Sequence, residues 1–224
     1  MEVFAIQKMY GQYYPFWELL TENEKNFFCS HSIHKKFNKG ELINRTEQCS
    51  GFVLILSGHM RIHILSEEGR EVTLFRLSAG NICVFTARCV LDSISFDVLI
   101  EAEEDLDVLI LPLKNFNEIS ASNIHVKCFA YQLATERFSE AMWRLQQVLF
   151  MRADRRLALL LYEEMEQLQT NEIKLTHEQI AKYMGSAREV VSRLLRYFAD
   201  ENIVELSRGT VKVLDKQKLE MMKN

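Results

Sequence analysis

The residues best suited to chemistry lie between Leu175 and Asn202. Thr176 and Gln179 have the spacing of a capping box, in which each side chain satisfies the other's backbone N–H at a helix start. Ser186 and Glu189 repeat that spacing ten residues later. Between them, Ala181 is small where two crossing helices must approach closely, and Gly185 sits where a tight turn calls for positive φ. Val191, Leu194 and Leu195 then face a core, which leaves Arg188, Glu189, Ser192, Arg193 and Arg196 outward. Caps, small residue, glycine and apolar places together predict a helix-turn-helix. An outward guanidinium can donate two hydrogen bonds to guanine O6 and N7, and a carboxylate can accept from cytosine N4. Glu189 has a second reading, in which it only caps its helix.

Other groups with reactive or ligating side chains carry less. Cys29, His31 and His34 could bind zinc by type, but three ligands are visible and no fourth is placed. The stretch reads as a helix end with solvated histidines, and no metal site is expected. His59 and His63 alternate on an expected strand and should face water, as polar positions of an antiparallel sheet do. Five cysteines without a CxxC pair suit a reduced, cytoplasmic protein rather than a disulfide scaffold. No G-x-S-x-G, H-E-x-x-H, P-loop or dinucleotide-binding pattern occurs, and no nucleophile is paired with an obvious base. No catalytic residue, and so no enzyme, is expected.

These residues need elements to position them. From Phe37 to about Pro112, apolar runs at 52–56, 60–64, 72–77, 82–85, 96–101 and 106–111 are parted by Gly, Asn, Ser and acidic residues. Such short, evenly spaced runs predict an antiparallel sandwich or barrel within residues 1–120. A helix at 15–28 should precede it, with Phe16, Leu19, Leu20 and Phe27 as its apolar positions. From about Ser122 to Phe150 there is neither Gly nor Pro, and Val126, Ala130, Leu133, Ala141, Leu145 and Val148 recur at helical spacing. That pattern predicts a long helix at 121–150 and the seam of a parallel two-stranded coiled coil. The alternative is a helix packed on its own β domain. Length favours the dimer, since ~29 residues make a rod of ~43 Å. A hinge near 151–154, a helix at 155–168, the helix-turn-helix and a closing hairpin at 204–213 complete a domain at 151–224.

Composition sets the bounds. A chain of 224 residues, 48% apolar, can bury a real core in one large or two modest domains. The net charge of −4 gives no general attraction to nucleic acid. Its distribution is uneven: residues 1–150 carry 14 Lys/Arg against 19 Asp/Glu, and residues 151–224 carry 13 against 12. A short basic stretch at 186–197 fits an electrostatic footprint or an ordinary solvated helix face. No apolar run approaches the ~18–20 residues that span a bilayer, and the N-terminus does not read as a signal peptide.

The run from Leu175 through Leu195 resembles the DNA-binding signature of the Crp/Fnr transcription regulators. The segment from Phe52 to Gly58 resembles that family's early β-roll strand and turn, and the segment from Glu68 to Gly80 its next hairpin. The long helix, the hinge, Arg155, Arg156, Leu157 and Ala158, and the closing hairpin come in the family's order. The resemblance implies an α+β chain: an antiparallel β-roll (jelly-roll, cyclic-nucleotide-binding-like), a dimerisation helix and a C-terminal winged helix-turn-helix. It implies that Arg188, Glu189, Ser192 and Arg193 read base edges. Arg196, one turn deeper on the same helix, reads as a phosphate contact or a solvated face, and Lys182 and Arg208 as candidate phosphate contacts, which position a protein without reading sequence. It further implies a bacterial homodimer on double-stranded DNA, with half-sites about 10–11 base pairs apart in an inverted repeat. By the same resemblance the half-sites are related to TGTGA or TTGAT, and RNA polymerase is a further partner; no membrane is involved.

One departure bears on the effector. Cyclic-nucleotide-binding members hold the phosphate with a Gly-Glu pair and a later Arg-Ser or Arg-Thr pair. Here Cys83 and Val84 come after Ile82, and Ile94 and Ser95 stand where the arginine pair is due. A buried cyclic phosphate without that cradle is neither solvated nor paired, which is costly. Arg88 is basic but comes too early. Cyclic AMP is therefore not the expected effector, and Cys83, Phe85, Arg88 and Val90 outline either an apolar effector pocket or a filled core. Iron–sulfur members cluster their cysteines, whereas Cys29, Cys49, Cys83, Cys89 and Cys128 are scattered. No cofactor is assigned. Two readings remain: a one-component regulator with an unidentified small-molecule effector, or a ligand-independent one whose degenerate sensor acts through a protein partner or thiol redox state.

Overall fold

In the computed structural model, residues 3–43, 51–69, 71–83 and 98–223 are described. The short apolar runs become strands β1 (Ile33–Phe37), β2 (Gly51–Ser57), β3 (His59–Leu65), β4 (Glu71–Ser78), β5 (Ile82–Cys83), β6 (Leu99–Ala102) and β7 (Leu106–Pro112). They form two antiparallel sheets, ordered β1-β7-β2-β5 and β4-β3-β6. The tight β2–β3 turn depends on Gly58, at φ +85°, where a Cβ would stand 2.5 Å from the Asp105 carbonyl oxygen. The runs at 82–85 and 96–101 extend beyond β5 and β6 into residues outside the described ones.

Around the strands lie α1 (Val3–Tyr13), α2 (Glu22–His31), α3 (Leu113–Ser122) and α4 (Ile124–Phe150). The single helix expected at 15–28 is not formed. Pro15 lies in a turn, Trp17–Leu19 makes one 3₁₀ turn, and α2 starts afresh at the N-cap Thr21, with a capping box to Glu24. Proline disfavours helix at the residue before it, which separates α1 from the 3₁₀ turn. Strand β1 and helices α1 and α3 lie outside the elements that periodicity marked.

Two compact units divide the chain: Met1–His63 with Leu74–Ala141, and Ile64–Thr73 with Met142–Asn224. The first has an aromatic core in which Tyr10, Tyr14, Phe16, Trp17 and Phe28 pack with Phe52, Leu109, Leu111 and Phe116. Val126, Ala130 and Leu133 of α4 belong to that same core. Half of the expected coiled-coil seam is therefore consumed within the unit. A second stripe on α4 is left exposed, at Ile124, Cys128, Tyr131, Thr135, Phe138, Met142, Leu145 and Leu149, in alternating steps of four and three. Leu145 alone is common to both stripes.

The polar positions of β3 also depart from expectation. Arg61 and His63 are buried, at 2% and 3% exposure, while His59 is half-buried. Strand β3 is the middle strand of its sheet, and Arg61 is neutralised by an ion pair with Glu101 on β6.

In the second unit, α5 (Ala153–Leu168), β8 (Glu172–Ile173), α6 (His177–Met184), α7 (Arg188–Asp200), β9 (Val204–Ser207), β10 (Thr210–Val213) and α8 (Lys216–Lys223) come in order. The three strands pair as β8-β10-β9. Leu157, Leu161, Ile180, Val191, Leu195, Phe198, Val204 and Val211 form its core. Among the described residues no helix is long and apolar enough to cross a membrane.

Candidate nucleic-acid interface

The helix-turn-helix is built from local rules. Thr176 caps α6 as its sequence predicts: Thr176 Oγ1 accepts from the Gln179 backbone N–H at 3.2 Å, and Gln179 Oε1 accepts from the Thr176 N–H at 2.9 Å. Gly185 ends the helix in the left-handed region, at φ +60°, and the Ser186 N–H donates to the Ala181 carbonyl at 2.9 Å. Together with the Gly185 N–H, which reaches the Ala181 and Lys182 carbonyls, that bond ties off the end of the helix.

The second capping box is not formed. Helix α7 has Ala187 as its N-cap, with no side-chain cap bond. Because Ser186 N–H closes the turn of α6, α7 begins later and Glu189 becomes its second residue rather than its third. The carboxylate of Glu189 is thereby released from capping and stands exposed in the first turn, where the helix dipole favours a negative charge.

Behind that face Val191, Leu195 and Phe198 are fully buried, and Leu194 sits half-buried at the edge of the core. In front, Arg188, Glu189, Arg193 and Arg196 are exposed, and none of their side chains has a hydrogen-bond or ion-pair partner among the described residues. Three guanidinium groups and one carboxylate thus point outward from a single helix face. Ser192 is half-buried among them, its Oγ 2.9 Å from His177 Nδ1 on α6. Nothing in the sequence marks that pair, since fifteen residues separate its members. Lys182 is engaged: its Nζ lies 3.2 Å from Glu71 Oε1, and its carbonyl accepts from Thr73 Oγ1 at 3.1 Å. Arg208 is exposed in the β9–β10 turn.

The other candidates are dispersed. Cys83 is fully buried in β5, opposite Val53 of β2. Phe85, Arg88 and Val90, with Cys49 and Cys89, lie outside the described residues. Cys29 is packed into the aromatic core, and burial pushes its thiol from 9.0 up to about 11. His31 Nδ1 bonds the Phe27 carbonyl at 2.9 Å, and His34 is paired with Asp107 across β1 and β7. Each imidazole is thus held by its own partner.

A family model of the cyclic nucleotide-binding domain matches residues 34–123, and one of the Crp-like helix-turn-helix domain matches residues 155–222. Among solved structures, a protein from Eubacterium rectale assigned to the Crp/Fnr transcriptional regulators is 40% identical, with a TM-score of 0.87, covering 95% of this chain and 99% of that one. The Cyclic AMP receptor protein of Thermus thermophilus is 26% identical over 207 residues, 92% of this chain and 95% of its own length. The cAMP-activated global transcriptional regulator CRP of Salmonella typhimurium is 24% identical over 202 residues, 86% and 95% of the two chains. With its β-roll, its helix-turn-helix and this full-length likeness, the chain belongs to the Crp/Fnr family of DNA-binding transcription regulators.

Proposed function

We propose that the protein acts as a homodimer that reads an inverted-repeat operator through α7, under control of an effector other than cyclic AMP. In this reading residues 1–120 form the sensor, 121–150 the dimerisation helix and 151–224 the DNA-binding domain, in the cytoplasm. The observation that carries it is the outward face of α7, on which the side chains of Arg188, Glu189, Arg193 and Arg196 are exposed and unpaired among the described residues. Arg188, Glu189, Ser192 and Arg193 are the base-reading group, because guanidinium and carboxylate match guanine and cytosine edges in the major groove. Arg196, one turn further along, and Arg208 in the wing contact phosphate. Lys182 can join them only by giving up Glu71.

The exposed stripe of α4 supports the dimer. Six large apolar side chains with small Cys128 and Thr135 between them, in steps of four and three, form a heptad seam. A two-fold dimer sets its recognition helices about 34 Å apart, hence half-sites about one helical turn apart. Selection from random duplexes with purified protein, with and without a pool of cell metabolites, tests the reading. An enriched inverted repeat is expected; enrichment of unrelated or no sequences refutes it. For the effector, calorimetry with cyclic AMP and cyclic GMP should show no binding at physiological concentrations. Micromolar binding to the β-roll would overturn that part.

A further inference from the structure

Ser192 stands on the outward face of α7 beside Arg193 and one turn before Arg196. Its hydroxyl is the ambiguous member of that face. A serine can donate or accept, so a freely turning one pairs with any base edge and discriminates poorly. Here it does not turn freely, because His177 Nδ1 lies 2.9 Å from Ser192 Oγ. His177 is the first residue of α6, and the crossing of α6 with α7 brings the two side chains together. Both are half-buried, so water competes with their bond only in part.

We propose that His177 is a specificity-determining positioning residue, which holds Ser192 so that its Oγ meets the DNA as an acceptor. The proposal rests on the reading of α7 as the recognition helix. In its neutral form an imidazole has one N–H and one bare nitrogen. The first helix of a helix-turn-helix crosses the sugar-phosphate backbone, whose oxygens are acceptors. Beside acceptors the ring keeps its proton on Nε2, which has no protein partner among the described residues, and Nδ1 is left bare. The Ser192 O–H then donates to Nδ1, and only lone pairs remain for a base. In the major groove the donors are adenine N6 and cytosine N4, so Ser192 favours A or C over G or T at its position.

The test is fluorescence anisotropy on duplexes carrying all four base pairs at each half-site position, built on the repeat that the wild-type protein selects. Wild type should prefer A or C by about five-fold at one position, the worth of a single hydrogen bond. His177→Ala and Ser192→Ala should each abolish that preference, and the double variant should lose nothing further. Preference at the position sensitive to Arg193→Ala should stay unchanged. His177→Asn, which keeps an acceptor near the place of Nδ1, should restore the preference, a rescue that a merely structural role would not produce. If His177→Ala fails to fold, His177→Phe keeps the ring and removes its nitrogens. Preference intact in a folded variant, an even loss across all duplexes, or a wild-type preference for G or T at the Ser192-dependent position overturns the proposal. A wild-type protein that selects no repeat removes the recognition-helix reading itself, and this proposal with it.

Discussion

Replacing Phe138 by aspartate separates the two apolar stripes of α4. Phe138 is 64% exposed, whereas Leu133, five residues earlier, is 7% exposed. A phenylalanine offers ~200 Å² of surface, so the exposed part of Phe138 is ~130 Å². Covering it fully in a dimer is worth ~3 kcal/mol per subunit at ~25 cal/mol per Å². A two-fold axis doubles that to ~6 kcal/mol, about four orders of magnitude in the dimer dissociation constant. This is an upper bound for loss of the ring, and the carboxylates buried in its place add to it. The folded subunit, in contrast, loses little, since surface changes usually stay within ~0.5 kcal/mol. Sedimentation velocity from nanomolar to micromolar protein, with melting curves alongside, checks both statements. Phe138→Asp should sediment as a folded monomer and lose affinity for a full operator. Leu133→Ala should instead lose ~2–5 kcal/mol of fold stability through a core cavity. A Phe138→Asp protein that remains dimeric at nanomolar concentration would refute the assignment of the exposed stripe.

The remaining expectations concern readout and stability. Arg193→Ala should cost ~1–3 kcal/mol per half-site and relax preference at one base pair, while Arg196→Ala should weaken all duplexes alike and reduce the salt slope by ~1; an even loss for Arg193→Ala in a single-base panel would make it a phosphate contact. Thr176→Ala removes the cap of α6 and should lower stability by ~1 kcal/mol, read as a shifted urea midpoint without a change in slope. Burial raises the Cys29 thiol to about 11 and also raises the Tyr10 and Tyr14 hydroxyls. Above pH 9 the unfolded chain therefore releases protons that the folded chain retains, so stability should fall as pH rises from about 9 to 11. A flat urea midpoint over that range would contradict the burial of these groups.

What could be read from the sequence was what local chemistry constrains. The capping box at Thr176, the left-handed glycine at Gly185 and the small Ala181 act within one turn of chain, so their spacing alone announces the helix-turn-helix. The strands from β2 to β7 were legible for a similar reason, as apolar runs parted by turn residues. Helical period marked α4 as well, but a period does not name a partner. Val126, Ala130 and Leu133 and the stripe through Phe138 are both regular, and only packing decided that the first set belongs to the subunit's own core. The burial of Arg61 and His63 likewise comes from the central place of β3 in its sheet, which is a matter of strand order rather than of strand sequence. The bond closing the turn at Ser186 moved the start of α7 and released Glu189, against the spacing that suggested a second cap. The pairing of His177 with Ser192 is non-local: it arises where two helices cross, and no spacing along the chain encodes the angle at which they do.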